Sequence, residues 1–235
     1  MKENIKDQLK EGKQSKTKEE YKYLKIADLP LIRASIQGIP YVGGSLDTLL
    51  FSKARKIKEA RIQDLIRGLK KDFLKIKEEV IDKNYLESED FLSIVEKIFK
   101  EVTIEANKQK RIYLKNALKN STLKENSNYN KNIFIDLLHQ VSSFHVFILK
   151  TCINLSTKQN TKVINLQNLR KTINVLNFET DIEYLVSLGL ISKKIDVSDA
   201  SGELSKYKVI DIEINSSSYY EINEFSKRFI QFVEK

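Results

Sequence analysis

Apolar residues recur at helical spacing through most of the chain, and this pattern predicts a mainly α-helical protein. From Ser45 to about Lys83, apolar side chains return every three or four positions, which is typical of a long amphipathic helix. Ser88 would cap a second amphipathic helix, which we expect to reach about residue 119. The pattern therefore predicts an N-terminal helical domain over residues 21–120.

The pattern changes after this domain. The Asn- and Ser-rich stretch 121–132 is typical of a loop or linker, and we place the domain boundary there, before a second domain over 133–235. The apolar run from Ile133 to Cys152 predicts a single helix. Two shorter helices should follow, and the second should stop at Gly189.

β-Branched residues are concentrated in two runs near the end of the chain. These runs are LISKKIDV at 190–197 and YKVIDIEI at 207–214, and the turn-like stretch SDASGELS separates them. They predict a small β-hairpin, followed by a final helix from about Glu221 to Val233. The expected fold is mainly α, with long amphipathic helices in the first domain and a small hairpin in the second.

The order helix, helix, helix, hairpin, helix resembles that of a winged helix-turn-helix domain. The segment DIEYLVSLGLISKK, residues 181–194, is similar to the third helix and first wing strand of such domains. The segment YYEINEFSKRFIQFV, residues 219–233, resembles the ending in which a wing strand runs into a last helix. The resemblance covers about residues 133–235 and implies a winged-helix-like domain.

The layout as a whole resembles bacterial proteins of the Abi-alpha (abortive infection) family. It combines a helical first half that contains GIPYVGG, residues 38–44, with a winged-helix-like second half. The resemblance implies a role in phage defence and brings no catalytic motif with it.

The charge balance adds candidate partners. Lys and Arg number 41 against 32 Asp and Glu, so the formal net charge is +9, which favours nucleic acid or an anionic membrane as a partner. Residues 1–20 form a polar tail without the apolar core of a signal peptide. A single cysteine allows no intramolecular disulfide, and we therefore expect a cytoplasmic protein.

The stretch GIPYVGGSLDTLL, residues 38–50, gathers three glycines and a proline. It is not a phosphate-binding loop, because no Lys follows Gly44 directly. Polar residues, among them Arg33 and Asp47, would interrupt a membrane-spanning helix over 29–51. We interpret the stretch as a hinge between two packed helices. Its apolar residues remain candidates for docking to a partner or to an anionic membrane: Ile39, Pro40, Tyr41, Val42 and Leu46.

Catalytic, cofactor-binding and metal-ligating patterns are not found in the sequence. His139, His145 and Cys152 are too few for structural zinc, which takes four ligands. A Cys–His nucleophile pair stays open, although the apolar surroundings of Cys152 indicate a buried and inert thiol. No nucleophile or metal motif comes with its helper residues, and we expect neither an enzyme nor a cofactor.

The second domain offers basic residues to a nucleic-acid backbone or another anionic surface. They are Arg170, Lys171, Lys193, Lys194, Lys206 and Lys208. The helix that would enter the major groove carries Glu179, Asp181 and Glu183 but no Lys or Arg, which disfavours base recognition.

Three functions follow in order of preference. The first is a non-enzymatic protein that associates with a protein partner or with itself. The second is a nucleic-acid-binding regulator that uses the basic helix 53–77 and the lysines of the hairpin. The third is a membrane-acting effector led by residues 29–51.

Overall fold

The computed structural model describes residues 48–173, 175, 178–194 and 219–234. Within these residues the protein is mainly helical, as the hydrophobic pattern predicts, and it carries a small antiparallel sheet of three strands where the sequence predicted a two-stranded hairpin. The helices and strands belong to two compact units, which divide between Asn132 and Ile133.

The described part of the N-terminal unit is helical. Helix α3 (Glu89–Ile104) contributes more buried apolar residues to the described core than any other element, among them Phe91, Ile94, Ile98 and Phe99. Helices α1 and α4 both pack against α3 and against each other. The bounds are α1 (Thr48–Phe73), α2 (Lys83–Leu86), α3 (Glu89–Ile104) and α4 (Lys108–Ser121).

Helix α1 ends ten residues before the end that its apolar pattern predicts. It stops at Phe73, and a 3-10 turn covers Glu78–Val80. Ile81 is buried and forms an antiparallel bridge with Leu123, while the backbone N–H of Asp82 donates to Thr122 O at 2.8 Å. Pairing with this distant segment requires extended backbone, so tertiary contacts override the local helical pattern.

The helix predicted over residues 88–119 is two helices. Its start is confirmed, because the Ser88 side chain accepts from Phe91 N. The first of the two helices, α3, ends at Ile104. Asn107 then caps α4, since its side chain accepts from Lys110 N at 3.0 Å. Arg111 Nη1 donates to Glu105 O, which satisfies a carbonyl at the carboxyl end of α3.

The stretch 121–132 is packed into the N-terminal unit. Ser121 and Thr122 are buried, and Asn126 Nδ2 donates to Asn120 O at 2.8 Å. Such buried polar side chains need hydrogen-bond partners, which the nearby backbone provides. Part of the polar composition therefore serves local hydrogen bonding, while other residues of the stretch are exposed: Lys124, Glu125, Ser127, Asn128 and Asn130.

The core of the C-terminal unit surrounds helix α6 (Ser143–Lys158), which packs against α7 (Leu166–Ile173), α8 (Phe178–Ser187) and α9 (Glu224–Glu234). Its buried residues include Leu149 and Cys152 of α6, Ile182 of α8, and Phe229 of α9. Helix α5 begins two residues before the unit. The bounds are α5 (Lys131–Gln140), α6 (Ser143–Lys158), β1 (Val163–Asn165), α7 (Leu166–Ile173), α8 (Phe178–Ser187), β2 (Ser192–Lys194), β3 (Tyr219–Glu221) and α9 (Glu224–Glu234).

The prediction of a single apolar helix from Ile133 to Cys152 is wrong, because the chain bends by 115° between α5 and α6. Ser142 begins α6 as an N-cap and forms a capping box with His145. Among the described residues, no single helix has the length and hydropathy to cross a bilayer. The bent pair of α5 and α6, taken together, has the length and composition for this, and these two properties are the only ones that support it.

The sheet has the order β1–β3–β2 and is antiparallel throughout. Tyr220 of β3 lies opposite Ile164 of β1 on one side and Lys193 of β2 on the other. Strand β1 has no counterpart in the sequence prediction, and the predicted run 207–214 lies outside the described residues. Gly189 lies two residues after the end of α8 and has a φ of +70°, so the prediction that the helix stops here is confirmed.

Candidate functional site

Helix α8 carries three carboxylates, and each of them contacts a basic side chain of the same unit. Arg170 Nε of α7 lies 2.5 Å from Glu179 Oε1. Lys193 Nζ of β2 lies 2.7 Å from Glu183 Oε1. His145 Nε2 of α6 lies 2.9 Å from Asp181 Oδ1. We call the Arg170–Glu179 and Lys193–Glu183 contacts the α8 ion pairs. Together with the contact between His145 and Asp181, they connect α8 to three neighbouring elements.

The ion pairs favour the charged form of the carboxylates. The hydrogen bond from Lys193 is the main cause that lowers the pKa of Glu183, and Tyr220 Oη adds a second bond at 3.1 Å. The pKa of Glu179 is also lowered, first by a hydrogen bond from its own backbone N–H and then by Arg170. Glu179 lies in the first turn of α8, where a negative charge suits the helix dipole.

Of the six basic residues predicted to meet an anionic surface, the structure describes four, and three of these form ion pairs within the unit. Arg170 and Lys193 belong to the α8 ion pairs, and Lys194 Nζ lies 2.9 Å from Glu221 Oε2. Lys171 is exposed in the last turn of α7. The remaining two, Lys206 and Lys208, lie outside the described residues. The four described residues lie on α7 and β2, on opposite sides of α8 in the sequence.

His145 has a local structural role that the sequence pattern does not reveal. Its Nδ1 accepts from Ser142 N at 3.1 Å, and its backbone N donates to Ser142 Oγ at 3.1 Å. Because Nδ1 accepts, the proton of the neutral ring lies on Nε2 and is donated to Asp181. The signal for this cap is a Ser three residues before a residue whose side chain can accept a hydrogen bond.

Aromatic side chains reach the surface on α6 and α8. Phe144 and Phe147 stack with their ring centroids 6.1 Å apart, and Phe147 keeps 47% of its surface exposed. Tyr184 packs against the His145 ring at 5.0 Å and donates from Oη to Gln140 O at 3.3 Å. We call Phe144 and Phe147 the aromatic pair. A large exposed aromatic residue of this kind is typical of contact surfaces between proteins.

The only cysteine does not form a reactive site. Cys152 is completely buried, and burial raises its pKa to about 12, so the thiol stays protonated near neutral pH. Within the described ranges, no group of three or more His, Cys, Asp or Glu side chains could hold a metal ion. The candidate docking residues Ile39, Pro40, Tyr41, Val42 and Leu46 lie outside the described residues, and their role stays a prediction.

The net positive charge of the chain comes from the residues of one unit alone. Residues 133–235 contain twelve Lys and Arg and twelve Asp and Glu residues, so their formal net charge is zero. Residues 1–132 therefore carry the whole excess of +9. The unit that was expected to contact nucleic acid with its hairpin is the neutral one, and its described hairpin lysines are paired with carboxylates.

No protein-family model, curated protein or solved structure matches the chain, and the function is therefore inferred from the geometry of its own residues.

Proposed function

We propose that the chain is a non-enzymatic protein that associates with a second copy of itself through a winged-helix-like C-terminal module. The element order α6, β1, α7, α8, β2, β3, α9 supports a winged-helix-like arrangement, because three helices precede the paired strands β2 and β3 and a fourth helix follows them. A bacterial phage-defence setting and a cytoplasmic location remain predictions from the sequence.

The observation that carries the proposal is the charge balance of the module. Its net charge is zero, and the carboxylates of α8 are paired with its own basic residues. A surface that meets DNA normally presents unpaired basic side chains to phosphates. A module without net charge approaches a second copy without electrostatic repulsion, and near-zero net charge promotes association.

The aromatic pair is the contact we assign to this association. Phe147 is exposed, and its ring already stacks on Phe144, so little side-chain freedom remains to be lost on binding. The isologous contact of a two-fold dimer would place this pair against the same pair of the second copy.

Light scattering after size-exclusion chromatography tests the proposal. The full chain at about 0.15 M salt, where repulsion between the basic units is screened, should show a mass above 27.3 kDa that rises with concentration. Phe147→Ser should return the mass to that of a monomer. Val175→Ser, which removes another exposed apolar side chain of the same unit, should leave the association unchanged.

Two results would overturn this assignment. A wild-type chain that stays monomeric at high concentration removes self-association. An equal loss of association in both variants removes the aromatic pair as its contact.

A further inference from the structure

Helix α1 presents a row of basic side chains on the side opposite its buried face. Its apolar residues Leu65, Leu69 and Phe73 are buried in the N-terminal unit. At 100° per residue, Lys53, Lys56, Arg67 and Lys71 lie on the opposite side of the helix, and Lys70 lies on its flank. All five cations are exposed, and we call them the α1 basic face.

These cations differ from those of the C-terminal unit in their partners. Among the described residues, no carboxylate forms an ion pair with Lys53, Lys56, Lys70 or Lys71. Arg67 contacts Asp64 at 3.4 Å, but both side chains are mostly exposed, so this contact is weak and readily exchanged. The α1 basic face can therefore bind an anion without first breaking a strong internal pair.

The length over which these cations are distributed fits a linear polyanion, with Lys53 and Lys56 near the amino end of α1 and the other three near its carboxyl end. From Lys53 to Lys71 the helix rises by about 27 Å, at about 1.5 Å per residue. Over such a length duplex nucleic acid presents a nearly continuous series of phosphates, at about one charge per 1.7 Å of its axis. Four of the five cations are lysines, whose compact charge suits phosphate oxygens and does not select a base.

The burial of the apolar stripe argues against a lipid surface as the partner. An amphipathic helix binds a bilayer by inserting its apolar side, and in α1 that side is occupied by the core of the unit. Ile57 is an exposed apolar side chain near the amino end of the helix, but it is flanked by Lys56 and Lys58. The exposed side of α1 therefore offers a partner electrostatic contacts.

We propose that the α1 basic face binds the phosphate backbone of double-stranded nucleic acid without reading its base sequence. This binding is separate from the association assigned to the C-terminal module, because it uses a different unit and different residues.

The test is the salt dependence of binding to a short labelled duplex, followed by fluorescence anisotropy with the full chain. Each phosphate neutralised adds about 0.9 to the slope of log affinity against log salt concentration. Replacing Lys53, Lys56 and Lys71 by Gln should reduce that slope by about 2 to 3 and weaken binding by at least about tenfold. Gln keeps the helix propensity of Lys, and a thermal melt followed by circular dichroism verifies that the variant is folded.

A matched control removes the same number of charges from the neutral unit. The triple variant Lys171→Gln, Lys193→Gln and Lys194→Gln should retain the slope and affinity of the wild type. An equal loss in both triple variants would show that total charge, not the α1 basic face, governs binding. A wild type that does not bind the duplex at low salt, or that binds phosphatidylglycerol vesicles instead, would also overturn the proposal.

Discussion

The imidazole of His145 lies 2.9 Å from the carboxylate of Asp181, and this contact joins the first turn of α6 to the first turn of α8. The other ring nitrogen accepts from the backbone of Ser142. One side chain thus caps one helix and anchors a second. The bond to Asp181 is partly buried, since the His145 side chain is 14% exposed and that of Asp181 is 33% exposed.

Replacing His145 by Ala should lower the free energy of unfolding by about 1–3 kcal/mol, since two hydrogen bonds worth about 0.5–1.5 kcal/mol each are lost. Urea denaturation measures this change. Asp181→Ala should cost less, because the capping box with Ser142 remains. Equal losses in the two variants would mean that the capping contact contributes nothing.

Because the pKa values of Glu179 and Glu183 are lowered in the folded protein, its free energy of unfolding should decrease as the pH falls into the acid range. Each carboxyl has an ordinary pKa of 4.5 and a lower one in the folded protein. Stability from these groups is therefore complete above about pH 4.5 and is lost as the pH falls through their lowered values. The double variant Glu179→Gln with Glu183→Gln should show a smaller loss of stability between neutral and acid pH. A pH dependence identical to that of the wild type would contradict the role of these pairs.

Cys152 should react with a thiol reagent only when the protein opens. Its pKa is raised to about 12 by burial, so the reactive thiolate is scarce at mildly alkaline pH, and the sulfur is inaccessible. We expect slow labelling in the native protein and rapid labelling in denaturant, measured by absorbance with an aromatic disulfide reagent. Rapid labelling in native buffer would show that α6 is not packed as described.

Gly68 allows α1 and α4 to approach each other. A Cβ atom at this position would lie 2.8 Å from Cδ of Lys115, whose Nζ forms an ion pair with Asp72. In an exposed helix interior Gly→Ala stabilises by about 1 kcal/mol, but here we expect no gain or a net loss, because Lys115 must move.

A double-mutant cycle isolates this effect. In the Lys115→Ala background, Gly68→Ala should recover a stabilisation of about 0.5–1 kcal/mol, measured by urea denaturation. The same change in both backgrounds would show that Lys115 does not constrain this position.

The sequence predicts those parts of the fold that depend on neighbouring residues. Ser88 and Gly189 are recognised because a cap and a left-handed stop act within one helical turn. Ile81 looks helical by its apolar spacing, yet it is extended because Leu123 lies opposite it. Strand β1 is short and follows a polar stretch, so its residues acquire their role only from pairing with β3.

The candidate sites follow the same rule. The basic type of Arg170 and Lys193 is visible in the sequence, but their carboxylate partners are residues of α8 that come close only in the folded unit. The sequence therefore gives the charge of a residue, whereas the availability of that charge depends on tertiary contacts. Helix α1 differs because the faces of a helix follow from its period alone.

The central position of β3 between β1 and β2 has a consequence for the order of folding. Asn165 of β1 pairs with Tyr219 of β3, so β1 gains its partner only after α7, α8 and β2 have been synthesised. Until then β1 and β2 each lack the strand that lies between them, and contacts between distant segments form slowly. During synthesis the helical N-terminal unit can fold first, and we expect the sheet of the C-terminal unit to form only after β3 has been synthesised, when both outer strands can pair with it.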